Sequence, residues 1–162
     1  MAQQFETDQG YGDEAALGLI VLSTDETMEP ELSGVFGPAR VPVYHSRLPS
    51  QADVTPETLA QMESGLPASA ALLPQGVSFG AIGYGCTSGA TIIGEDRVAA
   101  CVHTAHAGVP VTNPMTAVMA ACRALGAEKI GFLTPYVADV SAAMRKLLED
   151  NGFTITGFAS FE

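Results

Sequence analysis

The sequence alternates short, nearly continuous apolar runs with longer segments whose apolar residues recur at helical spacing. A parallel strand buried on both faces needs such a run, and the helix that returns the chain to the next strand needs an apolar stripe. The run Leu17–Leu22 shows this most plainly, because LGLIVL passes directly into a polar loop, STDET, at 23–27. The alternation therefore predicts an α/β fold in which a parallel sheet carries helices on both faces.

Further elements follow from the same pattern. Four other apolar runs are predicted to be strands: 41–44, 77–84, 130–134 and 153–158. Three segments are predicted to be helices: 55–73, 115–125 and 137–151. The first helix has Thr55 as its N-cap and Pro56 in its first turn. Gly65 and Pro67 predict a kink or break inside it.

The charge of the chain excludes several classes of partner. Asp and Glu number 18 against 7 Lys and Arg, a formal net charge of −11. Phosphate backbones and anionic lipids attract basic proteins, so neither nucleic acid nor a membrane surface is an expected partner. The sequence shows no signal peptide and no apolar run long enough to span a membrane, so we expect a cytoplasmic protein. The sequence is compatible with a homo-oligomer.

Loops at the carboxyl ends of parallel strands are where such a sheet binds ligands. Cys86 is the strongest candidate there, because a thiol at the start of a helix lies near backbone N–H groups that favour thiolate. Thr87 and Ser88 would add hydroxyl donors toward an anionic substrate. We expect Cys86 to face solvent and to be the most reactive thiol. The alternative is a small buried residue in a turn.

Asp25 and Tyr136 lie in two other loops of this kind. Asp25 follows the first strand, where its carboxylate is predicted to act beside Cys86. It also belongs to a group of eight acidic residues that precede the first basic residue, Arg40, and it could be part of a solvated acidic face. Tyr136 is either a substrate ligand or a packed ring with a hydrogen-bonded hydroxyl.

The remaining cysteines and two of the histidines are assigned supporting roles. Cys101 and Cys122 lie in apolar helical patterns, which favours packing in the core. His103 and His106 are placed in a linker before the second predicted helix. They are three residues apart, but no third ligand is evident, so we expect surface or supporting residues and no metal site.

Three segments resemble the aspartate/glutamate racemase superfamily, in particular its branch of maleate isomerases and arylmalonate decarboxylases. In chain order they are LGLIVLSTDETMEPE, GYGCTSG and VPVTNPMTAVMAACRALGAEKIGFLTPYVADV. The first loop is also similar to racemase-like proteins linked to ectoine utilisation. The resemblance implies two flavodoxin-like lobes, a small carboxylic acid as substrate, and chemistry by cysteine thiols without metal or organic cofactor.

The resemblance also implies roles for single residues. Cys86 matches the first of the two cysteines of the superfamily, as acid/base or nucleophile, which favours isomerase or racemase chemistry over decarboxylation. Thr87, Ser88 and Tyr136 match residues that hold the substrate carboxylate. Asp25 stands where maleate isomerases have asparagine, and a carboxylate there would repel a dianionic substrate while suiting an amine or a proton-transfer partner of Cys86.

The domain organisation is predicted on the same basis. We expect an acidic leader at 1–16, a first flavodoxin-like lobe at 17–115 and the beginning of a second lobe at 116–162. The second cysteine of the superfamily would then lie beyond Glu162, and the chain is expected to end inside the second lobe.

Three alternatives to this general isomerase or racemase function are considered. One is a flavodoxin-like module that captures an anion without chemistry, and another is a maleate cis–trans isomerase proper. The third, a flavin-binding flavodoxin, is disfavoured because the loop at 23–27 lacks a phosphate cradle.

Overall fold

The computed structural model describes Gln4, Glu6 and residues 15–51 and 54–161. The predicted leader at 1–16 lies almost entirely outside these residues and stays a prediction. The described chain is an α/β fold with two parallel sheets. The first contains β1 (Leu17–Leu22), β2 (Val43–Leu48), β3 (Ala81–Tyr84) and β4 (Val111–Thr112), in the order β2-β1-β3-β4. The second pairs β5 (Lys129–Thr134) with β6 (Thr154–Ser160). This architecture confirms the predicted fold class.

Six helices connect the strands of the described chain. They are α1 (Met28–Phe36), α2 (Pro56–Ala71), α3 (Thr87–Ile93), α4 (Glu95–His103), α5 (Pro114–Ala124) and α6 (Ala138–Asp150). A short 3₁₀ turn, Gly37–Ala39, follows α1. None of the helices in the described ranges is long and apolar enough to cross a membrane.

Strand register brings the functional loops to one edge of the first sheet. β1 pairs with β2 along its whole length, and Leu17 to Ile20 of β1 pair with Ala81 to Tyr84 of β3. The Gly85 N–H donates to the Ile20 carbonyl at 2.8 Å, which extends this pairing by one step. The loops after β1 and β3 therefore leave the sheet side by side.

A single apolar core joins the two sheets. Ile20, Ile82 and Tyr84 of the first sheet are fully buried in it. The same cluster includes Val140 and Leu148 of α6, the helix between β5 and β6. The predicted lobe boundary, between residues 115 and 116, falls within α5 and stays a proposal.

Helix α2 runs unbroken through Pro67, where the sequence predicted a kink or break. Proline has no N–H to donate to the Glu63 carbonyl, one turn earlier. The Cys101 thiol of α4 donates to that carbonyl instead, at 3.7 Å. Leu66, next to the proline, is fully buried, so packing holds the helix in place.

Helix α1 and strand β4 were not predicted from the sequence. The sequence places Cys86 at the start of a helix and Cys101 in an apolar helical pattern, but it provides no bounds for α3 and α4, and His103 and His106 were expected in a linker. His103 is the last residue of α4 and His106 lies just beyond it. Gly94, at φ +90°, separates α3 from α4.

Candidate active site at the Cys86 loop

Close packing between two loops positions Cys86. A Cβ at Gly85 would stand 2.6 Å from Sδ of Met28, the first residue of α1. A side chain at this position would force the Met28 side chain to shift, so glycine allows the strand end and α1 to pack closely as they stand. The chain then enters α3 with Cys86 as the N-cap in extended conformation, at φ −139° and ψ 110°.

The Cys86 sulfur is held by its own loop. Sγ accepts a hydrogen bond from the Gly89 N–H at 3.2 Å, and the Ser88 Oγ lies 3.7 Å away. Both groups can donate to a negatively charged sulfur. The Cys86 residue is only 6% exposed, so the prediction of a solvent-facing thiol is wrong. Ser88 and Ala90, in the first turn of α3, are buried with it.

Tyr84, the last residue of β3, is a component of this site that the sequence analysis missed. It is 0% exposed, and its hydroxyl lies against the Cys86 thiol without forming a well-aligned hydrogen bond to any described residue. Burial raises the pKa of Tyr84 far above its ordinary value, and the neighbouring Cys86 is the next cause. The alternation of apolar residues in β3 signalled a core tyrosine, but not its position beside the thiol.

The two predicted hydroxyl ligands differ in their surroundings. Ser88 is buried and its Oγ lies near the Cys86 sulfur. Thr87 is partly exposed, and its carbonyl accepts from the Thr91 Oγ1 at 2.9 Å, a bond within α3. Both residues therefore adjoin the thiol, and Thr87 is the more accessible to a ligand from solvent.

Asp25 caps the first turn of α1. Its Oδ1 accepts from the backbone N–H groups of Thr27 and Met28 at 3.0 and 2.9 Å. In the part of the chain that the structure describes, no hydrogen bond joins this carboxylate to Cys86. The predicted role beside the thiol stays a proposal, and the capping role is an addition to it.

Arg47 of β2 fixes the loop that carries Asp25. Its Nη1 donates to the carbonyls of Leu22, Ser23 and Asp25, the last at 2.9 Å, and its Nη2 pairs with Glu29 at 2.8 Å. The guanidinium thus connects the end of β1 to the start of α1. This contact could not be found from the sequence, because it depends on the strand order β2-β1.

Tyr136 lies in the loop after β5, with its ring partly buried against the core. Its carbonyl accepts from the Ser141 and Ser160 hydroxyls at 2.9 and 3.0 Å, and its N–H donates to the Thr134 Oγ1 at 3.2 Å. Since α6 packs on α3, the elements that follow Tyr136 and Cys86 adjoin each other. No described hydrogen bond connects the two residues themselves.

In the described part of the chain, Cys101, Cys122, His103 and His106 form no hydrogen bond with the Cys86 sulfur. Cys101 and Cys122 pack against the core but remain partly exposed. His103 contacts the Val109 carbonyl at 2.8 Å through Nε2, and His106 contacts the Ala70 carbonyl at 3.1 Å. Within residues 15–51 and 54–161, no group of three His, Cys, Asp or Glu side chains is placed to hold a metal ion.

The fold and this site can be compared with known proteins. A scan of protein-family models finds none that matches the sequence, and a search of curated proteins finds no significant match. Solved structures do match. The maleate isomerase of Pseudomonas putida S16 superposes with a TM-score of 0.77 at 22% identity, over 91% of this chain and 64% of that one.

Two further matches have slightly higher identity. A cysteine-to-serine variant of the Nocardia farcinica maleate cis–trans isomerase has a TM-score of 0.78 at 25% identity, over 91% of this chain and 64% of that one. That structure holds a covalently bound succinylcysteine intermediate. A liganded double variant of arylmalonate decarboxylase has a TM-score of 0.71 at 26% identity, over 91% of this chain and 62% of that one.

The structural neighbours of this chain are maleate isomerases and arylmalonate decarboxylases. The resemblance noted in the sequence to this branch of the aspartate/glutamate racemase superfamily is therefore confirmed, at modest sequence identity. The chain spans less than two thirds of the length of each of these neighbours.

Proposed function

We propose that this chain carries one side of the active site of a cofactor-independent isomerase or racemase that acts on a small carboxylic acid, with Cys86 as its reacting thiol. One observation carries the proposal. The Cys86 sulfur lies at the carboxyl end of β3, where the Gly89 N–H and the Ser88 hydroxyl face it. Such donors favour the thiolate, which is the reactive form of cysteine.

The thiolate has two modes of action in this proposal. As a nucleophile it adds to one carbon of a double bond, and the electron pair of that bond moves toward the adjacent carboxylate. The remaining single bond rotates, and elimination restores both the double bond and the thiolate. As a base it takes the proton from the carbon next to a carboxylate. The succinylcysteine in the Nocardia farcinica maleate isomerase supports the nucleophilic mode.

Racemisation would require a second group on the opposite side of the substrate carbon. Neither Cys101 nor Cys122 forms a hydrogen bond with Cys86 in the described part of the chain. We propose that the second group belongs to a region equivalent to the part of the neighbours that this chain does not span. The 162-residue chain should then bind small carboxylates weakly and turn none over.

We assign substrate binding to residues in the loops that follow β1, β3 and β5. We propose that Thr87, Ser88 and Tyr136 hold a carboxylate and that Asp25 exchanges a proton with the substrate or with Cys86. Capping of α1 fixes the Asp25 Oδ1 at the sheet edge, which supports a defined position for this carboxylate. A negative charge there favours an amino acid over a dianion such as maleate.

A maleate cis–trans isomerase proper is the second candidate. It is favoured by the structural match to two maleate isomerases, with TM-scores of 0.77 and 0.78. The distinguishing residue is Asp25. We expect Asp25→Asn to improve the use of maleate if this second candidate is right, and to abolish proton exchange of amino acids if the first is right.

Proton NMR in deuterated buffer tests the proposal against a panel of small amino and dicarboxylic acids. A chain extended to the length of its neighbours should exchange the proton next to a carboxylate or isomerise an unsaturated acid. Cys86→Ala should reduce either rate at least about 10³-fold, while the control Cys122→Ala should leave it within about twofold. Undiminished turnover in Cys86→Ala would contradict the proposal.

A further inference from the structure

The hydroxyl of Tyr84 is one of three buried side-chain polar atoms without a hydrogen-bond partner among the described residues, the others being His45 Nε2 and Ser46 Oγ. Tyr84 is fully buried at the end of β3, and its hydroxyl has no well-aligned hydrogen-bond partner among the described residues. A buried, unpaired hydroxyl destabilises a fold, whereas phenylalanine would fill nearly the same space without that penalty. Packing alone therefore does not account for a tyrosine at this position.

The surroundings of the hydroxyl show what it faces. A Cβ added at Gly89 would collide with the Tyr84 hydroxyl and would stand 2.9 Å from the Cys86 sulfur. The hydroxyl and the sulfur therefore converge on the same glycine, which leaves room for both. From another direction, the Gly89 N–H already donates to the sulfur at 3.2 Å.

We propose that Tyr84 is a positioning residue for Cys86, whose buried hydroxyl donates a hydrogen bond to the sulfur when it is a thiolate. A neutral thiol is a weak acceptor and a thiolate is a strong one. The hydroxyl therefore lacks a good partner until the sulfur becomes charged. This inference rests on the proposed role of Cys86 as a reactive thiolate, but not on the identity of the substrate or reaction.

The electrostatics of the core restrict Tyr84 to this donor role. Burial raises the pKa of Tyr84 far above its ordinary value, so the phenol keeps its proton across the working pH range. Cys86 is the titratable group whose charge acts on it. The residues that α2, α3, α5 and α6 bury in the core are all uncharged. Among the described residues, the thiolate is therefore the charged acceptor that the hydroxyl faces.

A single-cysteine protein gives the sharpest test. The sequence contains three cysteines, so Cys101→Ser with Cys122→Ser leaves Cys86 as the sole thiol. In that background, Tyr84→Phe removes only the hydroxyl, and Tyr44→Phe is the matched control at a partly buried tyrosine of β2. The readouts are the rate of Cys86 modification by methyl methanethiosulfonate as a function of pH, the ultraviolet absorbance of the thiolate, and thermal unfolding.

We expect Tyr84→Phe to lower the thiolate fraction at neutral pH at least about tenfold and to shift the pH–rate profile to higher pH. Its thermal stability should be unchanged or increased, because an unpaired hydroxyl has been removed. Tyr44→Phe should leave the profile in place. A purely structural role would change stability but not the profile. An unchanged profile in a folded Tyr84→Phe protein would overturn the inference.

A second measurement needs no substitution at Tyr84. With ¹³Cζ-labelled tyrosine, the Tyr84 resonance should move as Cys86 ionises, and Cys86→Ser should abolish that movement. A resonance that ignores the titration of Cys86 would overturn the inference even if Tyr84→Phe failed to fold. Altered thiol chemistry without turnover in the NMR assay would instead contradict the proposed function and leave this inference standing.

Discussion

The two sheets of this chain differ in how completely their strands are covered. In the first sheet, Ile20 and Ile82 are 0% exposed. In the second, Leu133 of β5 is 60% exposed and Phe158 of β6 is 48% exposed. Parallel strands are normally buried on both faces. The first sheet thus holds Cys86 in a packed framework, whereas the residues around Tyr136 rest on strands that remain partly open in the described structure.

This contrast separates two parts of the proposed site. The environment of Cys86 comes from tight local contacts with Tyr84, Ser88 and Gly89. Tyr136 is held mainly through its backbone, by the Ser141 and Ser160 hydroxyls. We therefore expect substitutions in the first sheet to affect stability and thiol chemistry together, and substitutions in the second sheet to affect neither strongly.

The largest expected effect comes from shortening a buried side chain in the first sheet. Ile20→Ala should lower the free energy of unfolding by about 2–5 kcal/mol, because it removes a fully buried side chain and leaves a cavity. The matched change in the second sheet, Leu133→Ala, should stay within about 0.5 kcal/mol. Urea unfolding measures both. Equal losses in the two variants would show that the second sheet is as closely covered as the first.

An intermediate effect is expected at Gly89. Alanine normally stabilises a helix relative to glycine by about 1 kcal/mol, and Gly34→Ala in α1 should do so, since a Cβ there meets nothing within 4 Å. At Gly89 the added Cβ would collide with Tyr84 and Cys86. Gly89→Ala should therefore destabilise the chain by about 1–3 kcal/mol and slow modification of Cys86.

Gly131→Ala extends this comparison to β5, because an added Cβ there also meets nothing within 4 Å. Its unfolding free energy should change by less than about 0.5 kcal/mol. A Gly89→Ala protein as stable as either control, with unchanged thiol reactivity, would contradict the close packing around Cys86.

The smallest expected effect concerns Cys101. Its thiol donates a hydrogen bond to the Glu63 carbonyl, which Pro67 cannot bond because proline has no N–H. Burial raises the pKa of Cys101 above its ordinary value of 9.0, with Glu63 as the next cause. A thiol whose pKa is higher in the folded than in the unfolded state contributes fully to stability below pH 9.0. This contribution is lost as the pH rises through the pKa of the folded state. Cys101→Ala should therefore reduce the alkaline loss of stability, measured by urea unfolding at a series of pH values. An identical pH dependence in both proteins would exclude this linkage.

Much of the framework could be predicted from the sequence. Five of its strands overlap the predicted apolar runs, although β2 does so only at 43–44, and the predicted cap at Thr55 starts α2. Helix α1 was not predicted because it buries no residue fully, so its sequence carries no clear apolar stripe. Strand β4 spans only two residues, too few for any period to show.

Candidate residues for the site could be named from the sequence, but not their surroundings. The loop GYGCTSG singled out Cys86, Thr87 and Ser88, since small residues after a buried strand favour close backbone contacts. Burial of the thiol depends on how α3 packs, and the approach of the Tyr84 hydroxyl depends on Gly89 having no side chain. The capping bonds of Asp25 become visible only once α1 is known to begin at Met28.

Carboxylate-directed alkylation tests most directly whether Cys86 is a reacting thiol beside a carboxylate site. Iodoacetate carries the charge that such a site would hold, whereas iodoacetamide is a neutral control of similar size. On a chain with a net charge of −11, a thiol without an anion site should prefer the neutral reagent. We expect Cys86 to be labelled faster than Cys101 and Cys122, to prefer iodoacetate, and to be protected by small carboxylic acids. Faster labelling of Cys101 or Cys122, or a preference of Cys86 for iodoacetamide without protection, would contradict the role that we assign to this loop.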